Sequence, residues 1–523
     1  MIIPTYLPAL LVAVPLLGAF CTPLISRIHG KLRNLFVLII LGINAVLVGL
    51  LAYKIYVKSE PDAPYVASYI FGAQDISLPV VRIAFEVDAL SIFMVMIATI
   101  LTFVAVVYSW AFMDKETGLD KFYTLLLLLT AGMLGMMMTG DMFNFFVFLE
   151  IASISSAALV AFWVDNGESI EAGFKYILVS TIGALFVLFA IAILYGQYDA
   201  LNIAVLASSM QYTFLDKVAL ILLITALAMK AGLVPMHMWL PDSYSRAPAP
   251  VTLALVGATL ASLYAVIRVV FTLYGNVLAQ IARFEITLNV LIGWLLIPLA
   301  LVSIIVGVLM ALRQSDLKRM IAFAAVAEIG YMVLAIGTGL TAMGVEYGRT
   351  ALEGGIFHII NDALDVGLLF LVAGALYYAT KEWSLDNMGG LARNMKYTTV
   401  FFIIGLFAVS GMPPLNGFAS KLLIYESTYQ LNPILAIVAI LCSILLLAAF
   451  VKVFHAAFMG PQLPKFDSVT EVPRSMLVAM GIIASIIIVF GLFPNVILET
   501  LVQPAADALL NNAAYLSAVL GGA

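Results

Sequence analysis

The amino-acid sequence predicts an all-α polytopic integral membrane protein of about fourteen transmembrane helices. Of its 523 residues, 64% are apolar and only 11% are Asp, Glu, Lys or Arg, whereas soluble domains carry about 25% charged residues. Apolar stretches of about 20 residues, the length that crosses a bilayer, recur throughout. Basic residues also alternate between successive loops. The runs are too long and continuous for barrel strands, so helices are left to satisfy the backbone in lipid.

The block 1–112 holds spans at 4–25, 33–57 and 86–112. Its opening, MIIPTYLPALLVAVPLLGAF, has no basic n-region and no A-x-A-like cleavage site, and reads as a first spanning helix rather than a signal peptide. The loop 58–85 carries Pro, Gly and short β-branched stretches that predict an ordered surface hairpin. The block 121–274 holds spans at 121–139, 143–163, 172–195, 216–240 and 248–274, the first two parted only by Gly140 and Asp141. The block 287–460 holds spans at 287–311, 317–340, 354–378, 398–426 and 434–460. In the last block, 475–523, a span at 475–497 precedes a tail that reads as a short amphipathic surface helix or a partial span.

Charge tests this count independently. One set of loops holds fourteen basic residues, among them Arg27, Lys115, Arg246, Arg313, Lys318, Arg319, Lys381 and Arg474. The opposite set holds six: Lys54, Lys58, Arg82, Lys217, Arg283 and Arg349. The positive-inside rule then puts both termini outside a cell (cytoplasmic) membrane.

Ionisable groups at membrane depth are the functional clue, since each costs roughly 2.5–3.5 kcal/mol on insertion scales and so faces protein or a water path. Lys230 ends an apolar run and Glu150 follows another. Pro235 removes a backbone donor inside the same stretch, which predicts a kinked or unwound helix. Lys230, that break and His237 read as one hydrated polar site; the alternative for Lys230 is snorkelling to an interface. A Glu150–Lys230 pair would titrate as a unit and change its proton affinity as the partners separate; the alternative is a structural salt bridge. Glu328, His358 and Lys421 continue the pattern, with Pro413, Pro414 and Gly417 predicting a second helix break just before Lys421. A neutral histidine can both donate and accept, which suits a proton wire, and His358 has Asn361, Asp362 and Asp365 on adjoining turns. Lys175 reads either as interfacial or as a first internal relay. Lys452 and His455 read as an exit or an interface cluster.

The halves echo each other. Glu150 in span five and Lys230 in broken span seven are matched by Glu328 in span ten and Lys421 in broken span twelve. An offset of five spans reverses direction across the membrane, which predicts two inverted five-helix repeats. Cys21 and Cys442 lie in apolar segments and cannot make a four-cysteine iron–sulfur site. The four histidines are too scattered for paired haem ligation. No cofactor or metal is therefore expected in this chain.

Seven strings carry a family resemblance: FEVDALSIF at 85–93, GDMFNFFVFLEI at 140–151, EAGFKYILVSTIGA at 171–184, KAGLVPMHMWLPDSYSRAPAPV at 230–251, DLKRMIAFAAVAEIGYM at 316–332, GGIFHIINDAL at 354–364 and SGMPPLNGFASK at 410–421. The chain resembles the antiporter-like subunits of respiratory complex I and the D-type subunit of Mrp cation/proton antiporters. It is particularly similar to relatives in archaeal membrane-bound hydrogenase and sulfane-reductase complexes. The resemblance implies broken helices 7 and 12 and two translocation units, 121–274 and 287–460. It assigns Glu150 and Lys230 to the first-unit ion pair, Lys175 to a nearby helix-six position, Lys421 to the second-unit lysine and His358 to a central hydrophilic axis.

Two departures stand out. Leu260 occupies the place of a common helix-eight lysine, and Val366 that of a helix-eleven lysine. Glu328 stands where many members have glutamine or histidine.

The expected function is proton or Na+/H+ translocation within a multi-subunit complex, through a relay of Glu150, Lys230, Lys175, His237, Glu328, His358 and Lys421. Expected partners are H+, Na+, sibling antiporter-like and small membrane subunits, and a peripheral redox module. Iron–sulfur clusters, a nickel–iron site or flavin would sit only in those partners; no nucleic-acid partner is expected. The alternatives are a non-pumping membrane scaffold and a stand-alone transporter for an organic solute.

Overall fold

The computed structural model describes residues 5–59, 65–72, 82–275, 280–281 and 286–521. Among them, twelve helices are long and apolar enough to cross a membrane, from Leu7–Ser26 to Arg474–Leu492. Two further apolar stretches are interrupted. Phe214–Lys230 is followed, after a non-helical link, by Trp239–Arg246, and Lys396–Val409 by Asn416–Leu431. These breaks fall where the sequence places them, at Pro235 and at Pro413 and Pro414.

At both breaks the chain turns on a glycine of positive φ, Gly232 at 78° and Gly411 at 71°, a conformation that a Cβ opposes. Carbonyls freed by an interrupted helix need donors in a membrane, and side chains supply them. The Trp239 indole donates to the Met229 carbonyl at 2.9 Å. At the second break Lys421 donates to the Val409 carbonyl at 2.7 Å, and Ser443 to that of Ser410 at 3.1 Å.

The third long helix, Ala89–Phe112, starts later than expected because Ile83–Val87 forms a strand. That strand pairs antiparallel with Ala67–Phe71, with Ala67 opposite Val87. The hairpin's connecting segment, 73–81, lies outside the described residues. The C-terminal tail forms two short helices, Gln503–Leu510 and Asn512–Leu520. Asp507 pairs with Arg349 at 2.7 Å, Asn512 donates to the Thr272 carbonyl at 3.1 Å, and Tyr515 donates to Glu86 of the hairpin, so the tail lies against the same end of the bundle as the hairpin.

Small residues let helices approach closely, as membrane packing requires. A Cβ on Gly307 would stand 2.6 Å from the Ala327 nitrogen, and one on Gly337 2.8 Å from Ile297 Cγ1, so Leu288–Arg313 and Leu317–Thr341 meet nearly backbone to backbone. Leu317–Thr341 and Glu346–Thr380 are enclosed by other helices along their whole apolar lengths. Gly167–Tyr198 instead bares Phe174, Ile182, Leu185 and Phe189 on an outer face.

Candidate functional site

The two enclosed helices carry the densest polar cluster. Glu328 Oε1 accepts from Lys421 Nζ at 2.8 Å, and Glu328 Oε2 meets His358 Nε2 at 2.8 Å. All three side chains are fully buried. His358 Nδ1 lies 3.0 Å from Ser420 Oγ, which accepts from Asn361 at 2.9 Å. Asn361 and Asn416 bond reciprocally, and Asn416 donates to Asp365 at 3.0 Å. One chain of contacts thus runs from Lys421 to Asp365. Asp362, a turn after His358, is buried with no hydrogen-bond partner for its Oδ1 among the described residues. The Tyr331 ring lies 4.6 Å from the Lys421 ammonium, close enough to favour the cation.

The first break is built differently. Lys230 Nζ donates to Ser180 Oγ at 2.6 Å and to Ser153 Oγ at 2.7 Å. The expected direct pair with Glu150 is not formed. Glu150 lies one turn before Ser153 on Met142–Val160, and its Oε1 is buried without a hydrogen-bond partner among the described residues. The hydroxyls of two flanking helices hold the ammonium, and Glu150 acts on it through space. Beside Lys230 lies a cavity of about 20 Å³, lined by Ser153, Tyr176, Ser180, Thr259 and Ser262 among others, with room for one water molecule.

His237 sits in the break, buried, with its ring edge-on to Phe323 of the enclosed helix at 6.4 Å. It touches the second half of the bundle, and among the described residues no hydrogen bond joins its Nδ1 to Lys230. Lys175 lies outside the enclosed axis. Its side chain is 46% exposed and bridges Glu171 at 2.7 Å and Asp242 at 2.9 Å. Asp242 also pairs with Arg319 at 3.0 Å, while Arg246 pairs with Glu168 and Asp316. Lys452 is exposed and caps the end of Leu288–Arg313 through the Leu312 and Gln314 carbonyls.

Leu260 and Val366 are both buried and apolar. Hydroxyls flank Leu260: Thr259 bonds Tyr244 at 2.6 Å, and Ser262 lines the Lys230 cavity. Sequence reasoning did not single out Ser180, Asn416, Ser420 or Tyr331. Asn416 and Ser420 lie four apart, hence on one face of Asn416–Leu431 with the adjacent Lys421; that spacing was a usable signal.

Buried bases and carboxylates on broken and enclosed helices define a class of ion-handling membrane subunit. The chain belongs to the family described as NADH:quinone oxidoreductase/Mrp antiporter, TM, which it matches over residues 139–447. Residues 76–123 match the N-terminal part of chain 5 of NADH-ubiquinone oxidoreductase (complex I). It is an antiporter-like membrane subunit of the kind found in Mrp and complex I assemblies.

The N-type subunit of the NADH-quinone oxidoreductase of Desulforudis audaxviator is 31% identical, over 96% of this chain and 98% of that protein. The D-type subunit of the Na+/H+ antiporter of Alkalihalophilus pseudofirmus is 29% identical, over 90% of this chain and 92% of that one. The chain spans about half the length of the longer A-type antiporter subunits that it also matches. A chain of the membrane-bound sulfane sulfur reductase, an archaeal respiratory membrane complex, superposes with a TM-score of 0.84 at 27% identity, covering 98% of this chain and 99% of that one.

Proposed function

We propose that this chain moves protons, or protons in exchange for sodium ions, along its buried axis as one subunit of a larger membrane complex. The observation that carries the proposal is Glu328, one enclosed carboxylate shared between an ammonium and an imidazole. With His358 neutral, Glu328 and Lys421 balance each other. A proton arriving on His358 adds a second positive charge where charge repulsion is poorly screened. One proton then leaves the set for water further along the axis, and the charge balance around Glu328 is restored. The groups titrate as a set rather than singly.

In this reading Lys175 and Asp242 form the mouth, and Lys230 with Glu150 is the first store. His237 stands between the halves, and Glu328, His358 and Lys421 are the second store. We count the two interrupted stretches as crossings beside the twelve spans, fourteen in all, and group them into inverted units 121–274 and 287–460. A positive-φ glycine followed within three residues by proline, at both Gly232 and Gly411, supports the repeat. The face bearing Arg246, Lys318 and Arg319 is cytoplasmic by charge bias.

The relatives belong by name to an NADH-quinone oxidoreductase, an Na+/H+ antiporter and a sulfane sulfur reductase complex. We extend this to sibling membrane subunits seated on the bare apolar faces, and to a peripheral redox module holding iron–sulfur clusters and a nickel–iron site or flavin. The test is K230A in the reconstituted complex. Coupled ion transport is lost while assembly persists; unchanged transport would overturn the proposal. A second reading, a scaffold that does not pump, is favoured by buried Leu260 and Val366. It requires both K230A and E328Q to leave transport untouched.

A further inference from the structure

Glu86 is a buried carboxylate that the transport reading leaves unused. It lies near the end of strand Ile83–Val87 and is only 4% exposed. Each element packed on it contributes a polar or charged group. Asn202 donates to Oε1 at 2.6 Å, and Tyr515 of the C-terminal tail donates to Oε2. Asp141, the N-cap of Met142–Val160, and Arg268 both act on its charge. Arg268 is paired with Asp88 and bonded to Ser91 and Tyr264, and Arg82 acts on Asp141. The Glu86 carboxyl lies so close to Gly140 that a Cβ there would overlap it.

A cavity of about 30 Å³ adjoins this carboxylate, walled by Thr139, Tyr264, Arg268, Thr272 and Tyr515, and by Met136. Met136 is also a wall of the cavity beside Lys230. Met136 thus borders two spaces, each large enough for a water molecule. Methionine is unbranched, with three rotatable bonds, and can swing aside without backbone movement.

We infer that Glu86 is the proton-carrying group of a separate way out of the first unit, running from Lys230 past Met136 to the hairpin end of the bundle. The inference rests on the transport reading above. The proton leaves the Lys230 ammonium, which becomes an amine, and crosses through water to the Glu86 carboxylate, which becomes a carboxylic acid. Loss of that proton to solvent at the hairpin restores the carboxylate. Burial holds the Glu86 carboxyl up at about 7, against the two donors that pull it down, so it changes charge near neutral pH. The Arg268–Asp88 ion pair beside it keeps the site polar.

The experiment uses the whole complex in proteoliposomes, with proton movement followed as a function of pH on the hairpin side. E86Q lowers the proton yield about two-fold or more, and Glu86→Asp restores it. Y515F removes a donor to the ionised carboxylate and moves the midpoint of the pH profile upward. If E86Q does not assemble, the E86D yield and the Y515F midpoint decide. Wild-type yield in E86Q, or an unmoved midpoint in Y515F, overturns the exit. If K230A is inactive in the same assay, the transport reading stands without the exit; if K230A is active, that reading falls too.

Discussion

The Lys421 ammonium lies 2.8 Å from Glu328 Oε1 and also takes the Val409 carbonyl at 2.7 Å, so it ties a broken span to an enclosed helix. Lys230, at the other break, donates to the hydroxyls of Ser153 and Ser180. The same residue type is paired with a carboxylate in one half of the bundle and held by hydroxyls in the other.

E328Q removes the negative member of a fully buried pair. Breaking such a pair from one side costs about 3–5 kcal/mol, so thermal unfolding of the solubilised complex moves to lower temperature and transport stops. Replacing both members, as E328L with K421M, recovers most of the stability and none of the transport. A double variant less stable than either single one would contradict this account of the pair.

S180A takes one of two hydroxyls from Lys230. A hydrogen bond to a charged group is worth about 1.5–3 kcal/mol, which corresponds to roughly a ten- to hundred-fold change in rate. Coupled transport in proteoliposomes falls into that range, and S153A with S180A falls further than either alone.

G411A tests the second break. The new Cβ would stand 2.9 Å from Lys421 Cδ, at a residue with φ of 71°. The left-handed backbone alone costs roughly 1–2 kcal/mol, and Lys421 is pushed from its carbonyl. Transport drops while the complex still assembles, as native gel and activity assays together would show.

Glu86 makes the seating of the tail sensitive to pH. Its folded value of about 7 lies above the ordinary 4.5. Its contribution to stability is therefore fully present below pH ~4.5 and is lost as pH rises through about 7. The loss approaches roughly 3 kcal/mol. Amide protection across 503–520, corrected for the intrinsic rise of exchange with pH, falls between pH 5 and pH 8 in the natural chain, and E86Q removes that fall.

Much of this placement was legible in the sequence, for definite reasons. A proline or a charge inside an apolar run is a one-dimensional signal, so the breaks at Pro235 and Pro413 and the burial of Lys230, Glu328, His358 and Lys421 could be read directly. Which groups touch depends on helix rotation. Rotation gave Lys230 to Ser153 and Ser180 rather than to Glu150, and turned Lys175 outward to Asp242. The setting of Glu86 was hidden for another reason. It stands on a strand outside the apolar runs, and its cover, Tyr515, comes from 429 residues further along the chain.

The enclosed triad also sets a limit on stoichiometry. Lys421, Glu328 and His358 sum to zero with the imidazole neutral and to plus one when it is protonated, and no solvent reaches them to dilute the excess. A second proton would leave two uncompensated charges in low dielectric. In the proposed transport reading the triad is therefore a single-occupancy counter: it must discharge one proton before it can be loaded with the next.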